Sequence, residues 1–138
     1  MDAGHELVEH TADVGIRGWA PDLPGLFVRM ARGLFEVIVD PATVSAREER
    51  EVRLPAAQTE DLLHDWLDEL NALHQSKGEV YGEFEVELSG GSLSARVRGE
   101  PIDLDRHELR VEVKAVTWHD LRVTRTERGF EAYVLLDI

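Results

Sequence analysis

The sequence contains no cysteine among its 138 residues. This absence excludes thiolate catalysis, zinc ribbons and iron–sulfur clusters, and it fits a reducing compartment. No apolar run reaches the roughly 18 residues that a membrane helix needs, and no basic region followed by an apolar stretch opens the chain. We therefore expect a soluble, cytoplasmic protein without membrane contact.

Basic residues are scarce: 15 Lys and Arg stand against 28 Asp and Glu, for a formal net charge of -13. Proteins bind nucleic-acid backbones through Lys and Arg side chains that displace counterions, so we expect little direct nucleic-acid binding. A basic protein partner or a cation matches this charge better. Acidity on this scale also serves solubility by itself, and the composition leaves that alternative open.

Three common catalytic motifs are missing as well. The sequence has no His-Glu-x-x-His, no Gly-x-x-x-x-Gly-Lys and no Gly-x-Ser-x-Gly. A zinc protease, a nucleotide hydrolase and a serine esterase of the standard kinds therefore lack support. Asp103 and Asp105 resemble half of a calcium loop, but the glycine and the closing glutamate are not at EF-hand spacing.

The patterns that are present predict an α+β fold, one compact domain over residues 1 to 138, with a mixed or antiparallel sheet and two main amphipathic helices. Residues 5 to 20 predict two short strands, broken near residues 11 to 13, with Val14, Ile16 and Gly18 on one face of the second.

Both helices are marked by their boundary residues. Asp22 predicts the cap of the first helix and Asp40-Pro41 its end, whereas the second is predicted from about Thr59 to Gly78. Each helix carries one apolar stripe at three-and-four spacing. The stripes are Leu23, Leu26, Phe27, Met30, Ala31, Leu34, Phe35 and Ile38 in the first helix, and Leu62, Leu63, Trp66, Leu67, Leu70 and Leu73 in the second.

The remaining segments predict strands. Residues 47 to 54 are very polar and suit the edge of a sheet. A hairpin turns at residues 89 to 92 and is expected to break at Gly99-Glu100-Pro101. Beyond an irregular segment, alternation predicts a strand with Leu109, Val111 and Val113 on one face and Arg110, Glu112 and Lys114 on the other. The last predicted pair is residues 116 to 124 and 130 to 138, joined by a turn that contains Gly129.

Two carboxylates near opposite ends of the chain are the main candidates for chemistry. Asp13 lies at the predicted strand break, beside Glu9 and His10, and Asp137 follows the apolar run from Tyr133 to Leu136. A carboxylate after a buried strand either meets solvent or needs a cation. An aspartate in a turn also binds its own backbone, so Asp13 has a structural alternative. Isolated histidines such as His10 and His119 are more often packed or solvent-facing than ligands.

Five separated motifs together resemble one family, the archeases. They are Glu-His-Thr-Ala-Asp-Val-Gly-Ile at 9 to 16, Asp-Trp-Leu-Asp-Glu-Leu at 65 to 70, His-Glu-Leu at 107 to 109, Glu-Val-Lys-Ala-Val-Thr-Trp-His at 112 to 119, and the terminal Leu-Asp-Ile. The resemblance covers essentially the full length. Two departures are Trp118, where the family commonly has Tyr, and Leu23-Pro24-Gly25, where it usually has acidic helix formers.

The resemblance implies a small α+β protein cofactor rather than an enzyme. Archeases activate the tRNA-splicing ligase RtcB, which joins a 2′,3′-cyclic or 3′-phosphate RNA end to a 5′-hydroxyl with GTP and manganese. We therefore expect this chain to promote guanylylation of the ligase histidine, to sustain multiple turnover, and to broaden the accepted nucleoside triphosphates.

The resemblance also implies a site. The family's metal-binding positions fall on Asp13, Asp137 and the backbone carbonyl of Ile138, and its functional lysine falls on Lys114. We assign His10 and His119, with Lys114, to partner contact or activation. Two carboxylates ~4 Å apart repel by ~4 kcal/mol at an effective dielectric constant of 20, so a cation is a natural resolution. Oxygen ligands without cysteine favour calcium, magnesium or manganese over zinc or copper. Of the three ions we expect calcium first, with magnesium or manganese as alternatives.

Two other functions stay open from the sequence. A chaperone-like module that modulates a tRNA-modifying methyltransferase would use the acidic surface without the metal. A metal-dependent phosphoesterase would use Asp13 and Asp137 as ligands and His10 or His119 as base, but it would want further ligands.

Overall fold

Two antiparallel sheets and two helices form the chain, and the computed structural model describes residues 2–138. This confirms the α+β class predicted from the sequence. In chain order the elements are β1 (Gly4–Glu9), β2 (Asp13–Ala20), α1 (Leu23–Ile38), β3 (Glu48–Leu54), α2 (Thr59–Lys77), β4 (Glu79–Ser89), β5 (Ser92–Pro101), β6 (Ala115–Val116), β7 (Arg122–Thr126) and β8 (Gly129–Asp137).

The larger sheet has five strands and places the last strand in its middle. Its order is β1-β2-β8, with β6 and β7 both paired to the other side of β8. The smaller sheet has the order β3-β5-β4. The polar strand β3 therefore lies at an edge, as predicted, where its charged side chains discourage pairing with another chain.

The helices are capped as the sequence predicts. The Asp22 side chain accepts a hydrogen bond of 2.8 Å from Gly25 N, and α1 ends before a single 3-10 turn that opens at Pro41. Gly78 ends α2 in the left-handed conformation, with φ of 63°. A side chain at this φ would be strained, which explains the glycine.

Both apolar stripes pack into the core. The first helix contacts β2 of the larger sheet and β4 of the smaller one, and it also packs on α2. Trp66 is fully buried, and its indole N–H donates to the carbonyl oxygen of Phe27 at 3.0 Å. No helix within residues 2–138 has the length and apolar character needed to cross a membrane.

The predicted strand through Leu109, Val111 and Val113 is wrong. Residues 110 to 114 lie in no strand, and Leu109 only bridges to Val39. The backbone finds other partners: Arg110 N donates to the carbonyl of Ile38, and side-chain amides of α2 donate to the carbonyl of Val113. Of the three apolar residues only Val113 is buried, because the segment runs past the end of α1 instead of along a sheet.

Two further boundaries differ from the prediction. The hairpin does not break at Gly99, since β5 continues to Pro101. A Cβ at Gly99 would lie 1.9 Å from the carbonyl oxygen of Val80, so this glycine admits a close approach of β4 instead of ending the strand. The predicted strand over residues 116 to 124 is split into β6 and β7 by residues 117 to 121, where Asp120 has a φ of 58°.

Candidate functional site at the Asp13 and Asp137 pair

Asp13 is the first residue of β2 and faces away from the core. The chain reverses between β1 and β2, and His10 N donates to the carbonyl of Asp13 at 3.0 Å. Val14 and Ile16 are buried, and side chains alternate between the faces of a strand. The Asp13 side chain therefore lies on the outer face of the larger sheet.

Asp137 lies directly opposite Asp13. The register of β2 and β8 pairs these two residues, and the buried residues of β8, Ala132, Val134 and Leu136, place Asp137 on the same outer face. Ile138 N donates to the carbonyl of Ala12 at 3.3 Å. Because this bond joins the residues next to them, Asp13 and Asp137 form a non-hydrogen-bonded pair of the ladder. In such a pair the Cα atoms are ~4.5 Å apart and the side chains approach closely.

One oxygen of this pair has no partner. Within residues 2–138, Asp13 Oδ1 is inaccessible to solvent and accepts no hydrogen bond. The nearest basic group is His10 Nε2 at 4.0 Å, beyond hydrogen-bond distance. An unsatisfied buried acceptor costs about 1–3 kcal/mol, so this oxygen is a place where a cation would be stabilising.

The ligands predicted from the sequence suit a hard divalent cation, and its binding here stays a prediction. Their donors are oxygens only: the carboxylates of Asp13 and Asp137 and the backbone carbonyl of Ile138. No group of three or more His, Asp or Glu side chains in the described part of the chain could hold a metal. Two carboxylates would therefore need the backbone carbonyl and water to complete a coordination shell.

Lys114 is attached to the same end of β8 through its backbone. Its N–H donates to the carbonyl of Asp137 at 2.8 Å, and the next residue, Ala115, is the register partner of Asp137. The side chain is exposed, and among the described residues no carboxylate oxygen lies within 4.0 Å of its ammonium. The lysine is thus a free cation whose backbone is hydrogen-bonded to one residue of the carboxylate pair.

The two histidines have different surroundings. His10 is the basic residue that lies nearest to the Asp13 carboxylate, as its position three residues before Asp13 suggests. His119 is exposed in the segment between β6 and β7, and its Nε2 lies 3.3 Å from Asp120 Oδ2. The structure thus pairs His10 with the candidate site and His119 with its own neighbour.

A buried ionic cluster lies away from this pair, around Glu100. The Glu100 residue is 1% exposed, and its carboxylate accepts from Arg106 Nη2 at 2.5 Å, Ser45 N at 2.6 Å and His107 Nε2 at 2.9 Å. Arg106 holds the pKa of Glu100 at about 2, against the opposing effect of burial. Asp103 and Asp105, which resemble half of a calcium loop in the sequence, instead bond each other: the Asp103 side chain accepts a hydrogen bond from Asp105 N.

Sequence reasoning missed His64. This histidine lies in the buried stripe of α2, and its ring stacks on Trp118 with centroids 3.7 Å apart. The sequence did contain a signal for it, since His64 lies between Leu63 and Trp66 of the apolar stripe. A histidine buried there needs a polar partner, which points to a specific contact. Its Nε2 donates to the carbonyl of Val116 at 2.9 Å.

Comparison with known proteins gives consistent matches. The model of the Archease protein family matches residues 5–138. The protein archease of Methanopyrus kandleri is 39% identical over 137 residues, covering 96% of this chain and 98% of the relative. That of Thermococcus gammatolerans is 41% identical over 128 residues, covering 90% of each.

Two solved structures share the architecture. The solution structure of Methanobacterium thermoautotrophicum protein 1598 superposes with a TM-score of 0.81 at 34% identity, covering 98% of this chain and 99% of that one. The crystal structure of an archease from Thermotoga maritima, described as a possible chaperone, gives a TM-score of 0.66 at 25% identity over 95% and 94% of the two chains.

Proposed function

This chain belongs to the archease family, and from that premise we propose that it is a non-catalytic protein cofactor that activates an RtcB-type tRNA-splicing RNA ligase. In this role it promotes guanylylation of the ligase, supports repeated ligation, and widens the choice of nucleoside triphosphate. The observation that carries the proposal is the register pair of Asp13 and Asp137, with an unpartnered buried oxygen and a free lysine beside it. The absence of cysteine supports a cytoplasmic location.

The proposal includes a divalent cation, with calcium favoured and magnesium or manganese as alternatives. Asp13, Asp137 and the carbonyl of Ile138 would hold it, and the ion would supply a fixed positive charge that neutralises the carboxylate pair. The carboxylates project from paired strands, so their spacing is set by the sheet rather than by a loop. That rigidity suits a group whose task is to present charge to a partner.

Lys114 contributes a second positive charge in this proposal. Its backbone bond to Asp137 fixes where the side chain begins, and its ammonium is free to contact a phosphate of the ligase-bound nucleotide. His10 and His119 are exposed on the segments that flank this end of the sheet and would contact the partner. The activation surface is therefore one end of the larger sheet.

The test is single-turnover guanylylation of the ligase with saturating variant protein. We expect Asp13→Asn and Lys114→Ala each to slow guanylylation at least tenfold at saturation, because each removes a charge used in the activated step and neither empties a core position. Affinity for the ligase should change less than this rate.

Matched controls exist for both variants. The sequence has only one other lysine, Lys77, which is exposed in the last turn of α2. Asp105 is an exposed aspartate in the segment that follows β5. Lys77→Ala and Asp105→Asn should leave guanylylation unchanged. Wild-type rates for both Asp13→Asn and Lys114→Ala would mean that these residues are structural and that the proposed site is not the working end.

A second candidate function is a chaperone-like binding module for a tRNA-modifying methyltransferase. It is favoured by the description of the Thermotoga maritima relative as a possible chaperone. Such a module would raise the soluble yield or activity of its client in a way that does not depend on Asp13. The same Asp13→Asn variant therefore separates the two functions.

A further inference from the structure

Trp118 is an aromatic side chain that the fold exposes and yet holds in place. It is 55% exposed, whereas Trp66 is fully buried. Its ring stacks on the ring of His64 with an interplanar angle of 13° and 3.7 Å between centroids. Within its segment, Leu121 N donates to the carbonyl of Trp118 at 3.2 Å. One face of the indole is thus supported by the protein and much of the rest faces solvent.

The support under the indole is itself fixed. His64 is 8% exposed, its Nε2 donates to the carbonyl of Val116 at 2.9 Å, and its Nδ1 lies 3.1 Å from Asp65 Oδ1. An aromatic ring that is already ordered loses little conformational entropy when a partner covers it. Tryptophan, with tyrosine and arginine, is also enriched among the side chains that dominate protein interfaces.

Three carboxylates of α2 lie near His64, the residue that supports this ring. The residues Asp61, Asp65 and Asp68 are exposed and follow a four-and-three spacing, which places them in one row along the helix. His64 lies three residues after Asp61 and four before Asp68, so the row borders the stacked indole. The basic residues in the last turn of α2, His74 and Lys77, lie away from this row.

The indole and the carboxylate pair lie within reach of one partner. Ala115 is the register partner of Asp137, and Trp118 follows it by three residues, so their Cα atoms are at most ~11 Å apart. A standard interface covers about 800 Å² on each partner, which spans such a distance easily. Asp13 and Asp137 lie on the outer face of the larger sheet, whereas Trp118 stacks on α2, so a partner that contacts both has to pass around the edge strand β6.

We infer that Trp118, with the row of Asp61, Asp65 and Asp68, is the docking anchor for a basic surface of the partner ligase. The inference rests on the proposed function and adds a division of labour to it. The anchor sets affinity, whereas the carboxylate pair and Lys114 act on the rate of the bound complex. The occupant is argued from charge: an exposed aromatic ring beside three carboxylates fits an apolar pocket rimmed by Arg or Lys.

The experiment measures both the dissociation constant for the ligase from the same organism and the guanylylation rate at saturation. Trp118→Ala should raise the dissociation constant at least tenfold and leave the saturated rate unchanged. Trp118→Phe should keep most of the affinity, because a flat ring can still stack on His64. Leu104→Ala is the matched control, because Leu104 is also an exposed apolar side chain, at 76%. It lies in the segment after β5, near the C-terminal end of α2, where Ile102 N donates to the carbonyl of Gly78.

The double variant Asp61→Lys, Asp68→Lys tests the charge row without touching the ring. It should slow association and flatten the dependence of association on salt, since complementary charge acts mainly on the encounter rate. If thermal melts show that Trp118→Ala unfolds, Trp118→Phe and the double variant decide the question. A wild-type association rate with a wild-type salt dependence in the double variant, or loss of affinity in a folded Trp118→Phe, would then overturn the inference.

The outcomes separate the inference from the proposed function. Failure of the wild-type chain to accelerate guanylylation at any concentration rejects the proposed function. Acceleration by the wild type together with unchanged affinity in folded Trp118→Ala rejects only the anchor. A saturated rate that falls with Trp118→Ala also rejects the anchor, because the indole would then act in the activated step.

Discussion

Asp13→Asn should stabilise the chain in the absence of divalent cations. Asp13 and Asp137 are opposite residues on one face, and no described basic side chain forms an ion pair with Asp137 within 4.0 Å. The substitution keeps the size of the side chain and removes one of two like charges. The amide can also donate a hydrogen bond to the remaining carboxylate.

The magnitude follows from Coulomb's law. Carboxylates on a non-hydrogen-bonded pair are ~5 Å apart, and two unit charges at that distance repel by ~3 kcal/mol at an effective dielectric constant of 20 and by ~1 kcal/mol at 80. The side chain of Asp13 is 37% exposed, which favours the lower half of this range. For a chain of this size about 1 kcal/mol corresponds to a rise of ~3–4 °C in melting temperature.

The assay is a pair of thermal melts at constant ionic strength, one with a chelator and one with calcium. Calcium should raise the melting temperature of the wild type, by an amount equivalent to ~2.7 kcal/mol at 100 times its dissociation constant. Asp13→Asn should gain much less, so the order of stability should invert. Asp68→Asn controls for the loss of one negative charge from a chain of net charge -13.

Two results would refute this reasoning. A lower melting temperature for Asp13→Asn with chelator would mean that the carboxylates do not repel in the folded state. An equal response of both proteins to calcium, magnesium and manganese would mean that Asp13 is not part of a cation site.

Two further predictions concern stability alone. Glu100→Gln should destabilise the chain by about 1–3 kcal/mol, because the buried His107 and the backbone N–H of Ser45 would lose a charged acceptor; urea unfolding of variant and wild type measures the difference. Because the folded pKa of Glu100 is lowered to about 2 from 4.5, its contribution is present above pH ~4.5 and is lost as the pH falls toward 2, and the variant should show a weaker loss in acid melts. Gly99→Ala should prevent normal pairing of β4 with β5, since the new Cβ would meet the carbonyl of Val80 at 1.9 Å. Loss of a cooperative melt in circular dichroism is the expected result, and a wild-type melting temperature would contradict it.

The sequence predicts the helices because their signals are local. Asp22, Gly78 and the two apolar stripes each act within a few residues, and caps and periodicity are local properties of the backbone. The edge position of β3 is also marked locally, by its run of charged residues. These features could be named before any pairing partner was known.

The strand predicted after β5 is wrong for the opposite reason, because the contacts that decide it are not local. The alternation of Leu109, Val111 and Val113 is that of a strand, but a strand also needs a neighbour with free hydrogen-bonding groups. Here the end of α1 and the side chains of Asn71 and Gln75 take those groups. Local pattern contains no information about that competition.

The candidate site was predictable only in part. The residue types of Asp13 and Asp137 could be singled out from the sequence, but their juxtaposition depends on the register between β2 and β8, which lie more than 100 residues apart. Family resemblance supplied that pairing, which composition and periodicity could not. The stacking of His64 on Trp118 has the same non-local origin and was missed.

The central position of β8 has a consequence for biosynthesis. Residues 4 to 20 leave the ribosome about 110 residues before β8, a delay of roughly 5 to 20 s at ordinary rates of translation. During that time β2 has an unpaired edge in the place that β8 will occupy, and Asp13 has no opposite residue. A nascent or prematurely terminated chain that lacks β8 therefore cannot display the Asp13 and Asp137 pair. The site can form only after nearly the whole domain has been translated. A chain truncated before β8 would therefore lack the carboxylate pair with which the complete chain meets its partner.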